Sequence, residues 1–315
     1  MKTRIKFIFT VVLLASFLGF FESCKDRASE QGKEIALNGT NINKEPKKEV
    51  SKEFKKYWYS GVAEITSYKL EQARYGEIRE GKSVLIYVTE PFVADKQVKA
   101  DRSNASNVPI LKLNSTKKYL TGIYPYSIMS SSFYPVHDNQ HAIKVTFSAQ
   151  EWCGQVYAQL NNREKFEISS FSYFESEGDK NLFLEKNILE NELWNKIRIN
   201  PSDLPVGELK IVPSLEYIRL SHKALKPYKA IASLSNSNGK QTYTITYPEL
   251  DRTLDITFNE VFPYEIESWQ DAFKSGFGKS AKVLVSKATK IKTLKTAYWQ
   301  QNGNAYTSLR DTLGL

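Results

Sequence analysis

Residues 242–258 read TYTITYPELDRTLDITF, and this stretch decides the fold class. Apolar side chains occupy every second position in each half of it: Tyr243, Ile245, Tyr247, Leu254, Ile256 and Phe258. A period of two is typical of a strand with one buried face. The Pro248-Glu249 pair between the halves is typical of a turn, and two strands joined by so short a link pair antiparallel. The stretch therefore predicts a β-hairpin.

The same alternation occurs earlier in the chain. Residues 82–90 (KSVLIYVTE) form one such run, and residues 142–148 (AIKVTFS) place Ile143, Val145 and Phe147 on one face. Short links between such runs again indicate antiparallel neighbours. We therefore expect a mainly β fold built on one large, strongly curled antiparallel sheet, either open or closed into a partial barrel.

Two segments carry helical signals. In residues 184–198 three aliphatic side chains recur at steps of four, and Pro201 ends the pattern. Residues 50–59 are the candidate for a short first helix. We expect one or both helices to pack on the sheet. Residues 200–213 hold three prolines and one glycine, which makes them a candidate hinge between two halves of the domain.

The N-terminus has the pattern of an export signal. Three basic residues lie among the first six, and residues 7–21 are uncharged and mostly apolar. A membrane-spanning helix needs about 20 apolar residues. This run is shorter and Glu22 closes it, so it fits a secretory signal better than a permanent anchor. The sequence predicts a signal peptide over residues 1–23.

Residues 21–24 (FESC) resemble a lipobox, the tetrapeptide in which a cysteine thiol is acylated before cleavage. A usual lipobox has Leu first and Ala or Ser second, so Phe21 and Glu22 depart from the pattern. We expect lipidation of Cys24 and a membrane anchor through its acyl chains, since two or more chains hold a protein stably. The expected location is the cell envelope, on the outer membrane at its periplasmic face or at the cell surface.

The mature chain begins with a polar stretch. Residues 25–53 lack aromatic side chains and are rich in charge, so they cannot bury enough apolar surface to offset the entropy of ordering. We expect residues 24–53 to be a flexible tether and residues 54–315 to form the exported β-rich domain. Cys153 is the second of two cysteines, and acylation of Cys24 would leave it without a disulfide partner.

Basic residues exceed acidic ones. The full chain has 44 Lys and Arg against 35 Asp and Glu; loss of residues 1–23 removes three basic and one acidic residue, which leaves 41 against 34 and a formal charge of +7. Seven lysines follow one another late in the chain without an intervening acid: Lys274, Lys279, Lys282, Lys287, Lys290, Lys292 and Lys295. They could attract anionic lipid head groups or glycans. We favour a solvated edge strand, where lysines deter edge-to-edge pairing. Nucleic-acid binding is not expected of an exported protein.

Residues 276–280 (GFGKS), inside the lysine run, are similar to a phosphate-binding loop. That loop needs a glycine five residues before Gly278, so that backbone amides can wrap the phosphates. Phe273 stands at that position. The sequence therefore excludes this nucleotide site, and no cofactor is expected.

One polar cluster deserves a chemical hypothesis. Cys153 could be a nucleophile activated by His137 or His141 and oriented by Asp138 or Asn139. Alternatively, His137, Asp138 and His141 could ligate a metal ion. Neither spacing is specific, because histidines four apart share a face only on a helix and this segment is typical of a turn. We favour a structural turn and a core thiol, and predict no metal site.

Four stretches carry a resemblance to a known family: AEITSYKLEQARYGE (63–77), YVTEPF (87–92), YPVHDNQH (134–141) and QEWCGQVY (150–157). They resemble a family of flavobacterial (Bacteroidota) lipoproteins, over most of residues 55–300. Members of this family often carry the label "septum formation inhibitor Maf". The resemblance implies an envelope lipoprotein, but it implies no activity and no functional residue.

The Maf label can be tested on the residues. True Maf proteins are cytoplasmic nucleotide pyrophosphatases of α/β fold with a Ser-Pro-Arg-Arg motif near the N-terminus. This chain contains no Pro-Arg pair and begins with a lipoprotein signal pattern. Its strand pattern is β-rich as well. The sequence excludes the Maf assignment.

Two classes of function remain. The first is a non-catalytic envelope protein whose curled sheet binds an apolar or amphiphilic ligand, or a partner, on a concave face lined by Tyr and Phe. The alternative is a cell-envelope hydrolase that uses the cluster between residues 137 and 153. We favour the binding class. An open apolar concavity would support it, whereas convergence of His137, Asp138 and Cys153 in a cleft would support the hydrolase.

Overall fold

A computed structural model describes residues 48–137 and 140–315. The predicted signal peptide, Cys24 and the tether up to residue 47 lie outside the described residues, as do Asp138 and Asn139. Within the described ranges no helix is both long and apolar enough to cross a membrane. All described residues belong to one compact unit.

Sixteen strands over the described residues form one sheet. Their bounds are β1 Ala63–Arg74, β2 Glu77–Val93, β3 Val98–Lys99, β4 Val108–Thr121, β5 Tyr124–Pro135, β6 Lys144–Glu151, β7 Gly154–Asn162, β8 Phe166–Ser172, β9 Lys180–Leu184, β10 Ile188–Leu189, β11 Gly207–Val212, β12 Tyr228–Ser237, β13 Lys240–Tyr247, β14 Arg252–Asn259, β15 Ile266–Ser275 and β16 Lys282–Thr296. The prediction of a mainly β fold is confirmed.

The strand order is β10-β11-β12-β13-β14-β15-β16-β1-β2-β4-β5-β6-β7-β8-β9, with β3 paired to β2. Neighbours are antiparallel except β10 and β11, which are parallel. The predicted hairpin of residues 242–258 is β13 and β14, and Pro248–Leu250 forms the turn between them. The path ends at β10 and β9, which do not pair with each other, so the sheet is open.

Four α-helices accompany the sheet in the described part of the chain: α1 Lys52–Trp58, α2 Glu190–Ile199, α3 Leu215–Leu220 and α4 Leu309–Thr312. The helix expected over residues 50–59 is confirmed as α1, whose first turn is capped by the Ser51 hydroxyl. The helix expected over 184–198 begins later, at Glu190. Ile188 and Leu189 are instead strand, because they pair with Ile211 and Val212 of β11.

The sheet curls around α2. Glu190 at the start of α2 binds Arg252 of β14, and Asn195 donates a hydrogen bond to the Leu111 carbonyl of β4. Five strand spacings of about 4.8 Å separate β14 from β4, whereas Glu190 and Asn195 lie only about 7.5 Å apart along the helix axis. Ser132 of β5 and Leu254 of β14, six strand spacings apart in the sheet order, also line one small cavity, which requires the sheet to curl. We call the face that bears α2 the inner face and the opposite side the outer face.

The main core lies between α2 and the inner face. Leu193 and Ile197 of α2 are fully buried there. Arg198, also on α2, makes a two-pronged ion pair with Glu64 of β1 at 2.6 and 2.7 Å. Both side chains are buried, and the pair fixes the helix to the centre of the sheet.

The outer face carries a second, smaller core. Residues 297–315 cross it and cover the side chains of Ile65 and Val88 with Leu313. The Ser67 hydroxyl donates a hydrogen bond to the Leu313 carbonyl. The C-terminal segment therefore closes the outer face over β1 and β2.

The lysine run does not lie at an edge. β16, which holds five of the seven lysines, pairs with β15 on one side and with β1 on the other. The expectation of an edge strand is wrong, because the first strand of the domain returns to pair with the last. Lys290 binds Glu265 and Glu267, while Lys287 and Lys292 are exposed.

Residues 200–213 do not divide the sheet. β11 lies within them and pairs with β10 and β12. Pro201–Asp203 forms a single 3-10 turn in front of it. The sheet therefore continues through the segment that was expected to be a hinge.

Candidate functional site

The polar cluster expected from the sequence is split by β6. His137 and His141 precede this strand, and Cys153 lies in the turn that follows it. β6 has 8 residues, so its ends are roughly 26 Å apart. The two segments lie apart, because a strand carries its two ends to opposite edges of the sheet. The structure does not bring Cys153 to either histidine.

Each histidine has a structural contact. The Nδ1 atom of His141 lies 3.0 Å from the Glu192 carboxylate, which also accepts the backbone N–H of Leu189 and of Ala142. Glu192 thereby caps α2 and ties it to the start of β6. The Nδ1 atom of His137 lies 2.9 Å from the Lys48 carbonyl.

Cys153 is exposed and is not the core thiol that was expected. A hydrogen bond with the Glu151 carboxylate raises the pKa of the Cys153 thiol, with further contributions from burial and from the negative charge of Glu151. An activated nucleophile needs the opposite shift. The environment therefore keeps this thiol protonated. Asp138 lies outside the described residues, and within them no group of three His, Cys, Asp or Glu side chains could hold a metal ion.

A polar cavity remains on the inner face beneath α2 and α3. Its volume is about 80 Å³. Apart from Tyr217, nine uncharged polar residues line it: Gln72, Ser115, Ser130, Ser131, Ser132, Asn191, Ser214, Ser221 and Ser286. Five charged side chains line it as well: Lys117, Glu190, Glu216, Arg252 and Asp271. Four aromatic rings complete the wall: Trp194, Tyr217, Trp269 and Phe273.

The register of neighbouring strands places these polar side chains beside one another in the cavity. Ser115 of β4 lies opposite Ser130 of β5, and Leu113 lies opposite Ser132. On the other side of the cavity, the Gln72 amide of β1 donates a hydrogen bond to the Ser286 hydroxyl of β16 at 3.2 Å. Because side chains alternate between faces along a strand, each strand contributes only its inward positions. The result is a polar patch within an otherwise apolar inner face.

Three buried polar atoms in this cavity have no hydrogen-bond partner among the described residues. They are the Gln72 Oε1, Ser130 Oγ and Ser132 Oγ atoms. Their residues are only 3 %, 8 % and 2 % exposed. More than nine-tenths of buried polar groups in proteins are paired, so three orphaned atoms in one cavity are unusual.

The charged groups form two neighbouring networks. Arg252 donates two hydrogen bonds to Glu190, at 2.6 and 2.8 Å, and two to Asp271, at 2.8 and 3.0 Å. The Lys117 ammonium donates to Glu216 at 2.7 Å. Two cations thus serve three carboxylates, which leaves one negative charge in excess.

Asp271 carries that excess. Burial raises the pKa of Asp271 above its ordinary value, and the charge of Arg252 offsets this only in part. Burial also opposes ionisation of Glu190, but the charge and hydrogen bonds of Arg252 outweigh it and lower the pKa of Glu190. Arg252 therefore acts chiefly as the partner of Glu190, and Asp271 is the undercompensated carboxylate.

The cavity opens to the surface under the C-terminal end of α3. A larger recess of about 490 Å³ continues from the cavity. The residues Gln72, Tyr217, Leu220 and Phe273 line both spaces. A second recess of about 190 Å³ adjoins the larger one at Arg74 and Tyr75, among other residues. Together the three form one path from the inner-face cavity to the edge of the molecule, which we call the cleft.

Aromatic side chains surround the mouth of the cleft. They come from three hairpin turns at the same end of the sheet: Tyr75, Tyr173, Phe174 and Phe277. All four are exposed, Phe277 to 62 %. The guanidinium of Arg74 lies 4.2 Å from the ring centre of Tyr75, and that of Arg219 lies 4.7 Å from the ring of Phe174.

Two glycines hold this rim together. Gly76 and Gly276 occupy the β1–β2 and β15–β16 turns with positive φ angles of +76° and +99°. A Cβ atom on Gly276 would lie 3.4 Å from the Gly76 Cα and 3.3 Å from the Ala281 Cα. The glycine at the start of the GFGKS segment therefore permits a close approach of two turns.

Sequence reasoning missed the residues of this cavity. The signal was present in β5, where residues 130–132 are three consecutive serines between the apolar pair Ile128-Met129 and the aromatic pair Phe133-Tyr134. Ser130 and Ser132 share the inward face with buried Ile128 and Tyr134, whereas the exposed Ser127 is on the other face. A serine at a strand position that faces the core indicates a polar group in that core. The sequence does not show which other residues surround it.

Comparison with known proteins adds no assignment: no protein-family model, no curated protein and no solved structure matches the chain. The geometry of the cleft is therefore the basis for a functional proposal.

Proposed function

We propose that the protein is a lipid-anchored protein of the cell envelope that binds a small polar ligand in the cleft without catalysing a reaction. The observation that carries this proposal is the set of unpaired buried atoms on Gln72, Ser130 and Ser132. Each unpaired atom costs about 1–3 kcal/mol of desolvation. A ligand that offers hydrogen bonds to them would recover that free energy on binding.

The ion pairing of the charged side chains in the cavity supports a binding role. The charged side chains that line the cavity are held in ion pairs: Lys117 with Glu216, and Arg252 with Glu190 and Asp271. Cys153 lies outside the cavity lining, at the far end of β6 from the histidines. A nucleophile needs an adjacent base within hydrogen-bond reach. The Ser214 hydroxyl does bond the Glu190 carboxylate, but Arg252 holds that carboxylate in an ion pair and lowers its pKa, which disfavours it as a base.

The shape of the inner face favours a polar ligand over a long apolar one. An open concave face lined by Tyr and Phe was expected, but α2 packs into it and the remaining space holds serines, an amide and ion pairs. An amphiphilic ligand would place its polar head in the cavity and its apolar part against the aromatic mouth.

The first described residue, Lys48, and the mouth lie at opposite ends of the domain. Lys48 contacts His137 beyond the last residue of β5, whereas the mouth lies beyond the first. β5 has 12 residues, so about 40 Å separates the two ends. A tether that enters at Lys48 would leave the mouth free to meet a ligand.

Replacement of Cys24 tests the anchor. Cys24→Ala should release the protein from membranes, because the acyl chains attach to that thiol, and fractionation of cells measures this directly. Cys153→Ala is the matched control and should stay with the membrane fraction. Retention of Cys24→Ala on membranes would contradict the proposed anchor.

Replacement of Ser132 tests the cleft. Protein purified natively from membranes and then denatured should release a polar compound that mass spectrometry detects, and Ser132→Val should release much less. Ser127→Val, on the outer face of the same strand, is the control and should behave as wild type. Recovery of nothing polar from the wild-type protein, or equal recovery from Ser132→Val, would overturn the proposal.

The stability of the same variant separates binding from folding. Since the Ser132 hydroxyl has no partner, Ser132→Val should leave the free energy of unfolding of the ligand-free protein unchanged or higher. Loss of the compound together with retained stability would place the role of Ser132 in binding.

A further inference from the structure

We infer that the ligand is a saccharide unit without a negative charge, which enters the cleft end-on as the terminus of a longer glycan. This inference rests on the proposed function and names the class of ligand that the cleft would take. Three features of the site carry it: the type of its unpaired atoms, the sign of its excess charge, and the rings beside them.

The unpaired atoms favour a ligand that carries hydroxyl groups. The Gln72 Oε1 atom can only accept a hydrogen bond, whereas the Ser130 and Ser132 hydroxyls can each donate and accept. β1 and β5 are three strand spacings apart in the sheet order, or about 14 Å along a flat sheet. A ligand that satisfies both sides needs several donor and acceptor groups spread around it. Hydroxyl groups around a sugar ring meet this need.

The charges of the cavity exclude an anion. Its two cations, Lys117 and Arg252, already bind carboxylates, and Asp271 leaves one negative charge in excess. A phosphate, sulfate or carboxylate would lie in a low-dielectric site with no free cation, and such burial of an unpaired charge is costly. A neutral sugar or an amino sugar meets no such cost.

The aromatic rings favour a ligand with apolar faces as well as polar edges. Trp269 packs edge-on against Trp194 at 5.3 Å between ring centres, and Tyr217 packs edge-on against Phe273 at 5.9 Å. Tyr75 and Phe277 stand at the mouth, 6.0 Å apart. A pyranose ring presents C–H groups on its faces and hydroxyls at its edge, so it can pack on rings and still bond the serines.

The dimensions favour end-on entry. The inner-face cavity of about 80 Å³ is small, and the recess that adjoins it measures about 490 Å³. A terminal unit would place its hydroxylated end in the cavity, and the next units would lie in the cleft towards the aromatic mouth.

The test is calorimetry on the full-length mature protein with three disaccharides that share one reducing unit. Their terminal units are glucose, glucosamine and glucuronic acid. The two without negative charge should bind at least about tenfold more tightly than the acid, which corresponds to 1.4 kcal/mol. Equal or tighter binding of the glucuronic acid terminus would overturn the inference.

Variants locate the site and its charge selectivity. Ser132→Val and Gln72→Leu should each weaken the neutral disaccharide about tenfold, the usual effect of losing one or two hydrogen bonds, whereas Ser127→Val should not. Asp271→Asn removes the excess negative charge and keeps a polar group beside Arg252. It should therefore narrow the difference between glucose and glucuronic acid termini, which a purely structural role of Asp271 would leave unchanged.

The outcomes separate this inference from the proposed function. If no saccharide binds but native purification still yields another polar compound that Ser132→Val loses, the saccharide inference is wrong and the cleft remains a binding site. If neither a saccharide nor any polar compound binds, both are wrong.

Discussion

At the scale of single residues, two buried ion pairs attach α2 to the sheet. Glu64 with Arg198, and Glu190 with Arg252, are almost fully buried and bidentate. Burial opposes ionisation of Glu64, but the charge of Arg198 and the hydrogen bonds from Arg198 and Tyr57 outweigh it, so the pKa of Glu64 is lowered. Each carboxylate therefore stays charged in the core only because its arginine is present.

Removal of one partner should cost far more than removal of both. Arg198→Met leaves the Glu64 charge buried without its partner and should lower the free energy of unfolding by about 3–5 kcal/mol. The double variant Glu64→Leu/Arg198→Met removes both charges and should be much less destabilised. Equilibrium urea denaturation measures both.

Acid should distinguish the wild-type protein from the double variant Glu64→Leu/Arg198→Met. Because the pKa of Glu64 is lowered in the folded state, its stabilising contribution is present above the unfolded value of about 4.3 and is lost as pH falls through the folded value. Wild type should therefore lose stability below about pH 4 more steeply than the double variant. Equal slopes would show that the pair does not contribute this pH dependence.

The exposed Cys153 thiol gives a second residue-scale prediction. Since a hydrogen bond with Glu151, followed by burial and the carboxylate charge, raises the pKa of Cys153, Glu151→Gln should lower that pKa. More thiolate would then be present at pH 8, and labelling of the native protein by a disulfide reagent should be faster. Wild type should also label natively, at a rate that increases with pH.

The control for this prediction is Glu185→Gln. Glu185 is an exposed carboxylate that pairs with Lys165 in another turn, so its loss should not change the labelling rate. If wild type reacted only after denaturation, Cys153 would be buried, contrary to the structure.

At the scale of elements, the C-terminal segment protects the outer face of the sheet. Leu313, just after α4, packs on Ile65 and Val88, and Leu294 adjoins them. The strands beneath, β1 and β2, are central in the sheet order. The helix α2 covers the inner face of the sheet, and the C-terminal segment covers part of the outer face. Strand β1 is therefore buried on both faces.

Leu313→Ala should destabilise the protein although the residue lies in a short terminal helix region. Removal of a buried leucine side chain costs about 2–5 kcal/mol, which chemical denaturation detects. Tyr306→Ala, in the same segment but exposed, should have little effect. A Leu313→Ala protein as stable as wild type would show that the segment does not pack on the sheet in solution.

At the scale of the whole molecule, pairing of the first and last long strands makes the sheet continuous. β1 and β16 lie side by side at its centre, and the two arms of the sheet extend from them. A hinge at residues 200–213 would let two halves unfold separately. The observed pairing predicts instead that the arms unfold together.

Phe166→Ala tests this cooperativity. Phe166 is fully buried in β8, far along one arm, and its truncation costs about 3–5 kcal/mol. With Trp152 replaced by Phe, no tryptophan remains in β5 to β9, and fluorescence reports on Trp58, Trp194, Trp269 and Trp299. In that background the fluorescence and far-UV circular dichroism transitions should shift to lower denaturant by the same amount. Phe171→Ala, exposed in the same strand, is the control. A fluorescence transition that did not move would reveal independent arms.

The sequence by itself determined the local elements. The period-two pattern located β13, β14 and much of β2 and β6. The four-residue spacing before Pro201 located α2 except for its start, and residues 50–59 were identified as a helix candidate that became α1. These features depend on residues a few positions apart, because strand alternation, turn chemistry and helix capping are local. The antiparallel pairing followed from the short links between such strands, whereas only the structure shows that the sheet is open.

Only the tertiary structure decided which residues meet. It carried Cys153 to the opposite end of β6 from His137, and placed β16 in the interior of the sheet. It also gathered Gln72 and Ser132 around one cavity. The physical reason is that strand pairing and the curl around α2 arise from contacts between residues distant in the chain. A local pattern predicts which face of a strand a side chain lies on. Only the folded sheet shows which other side chains lie on that face beside it.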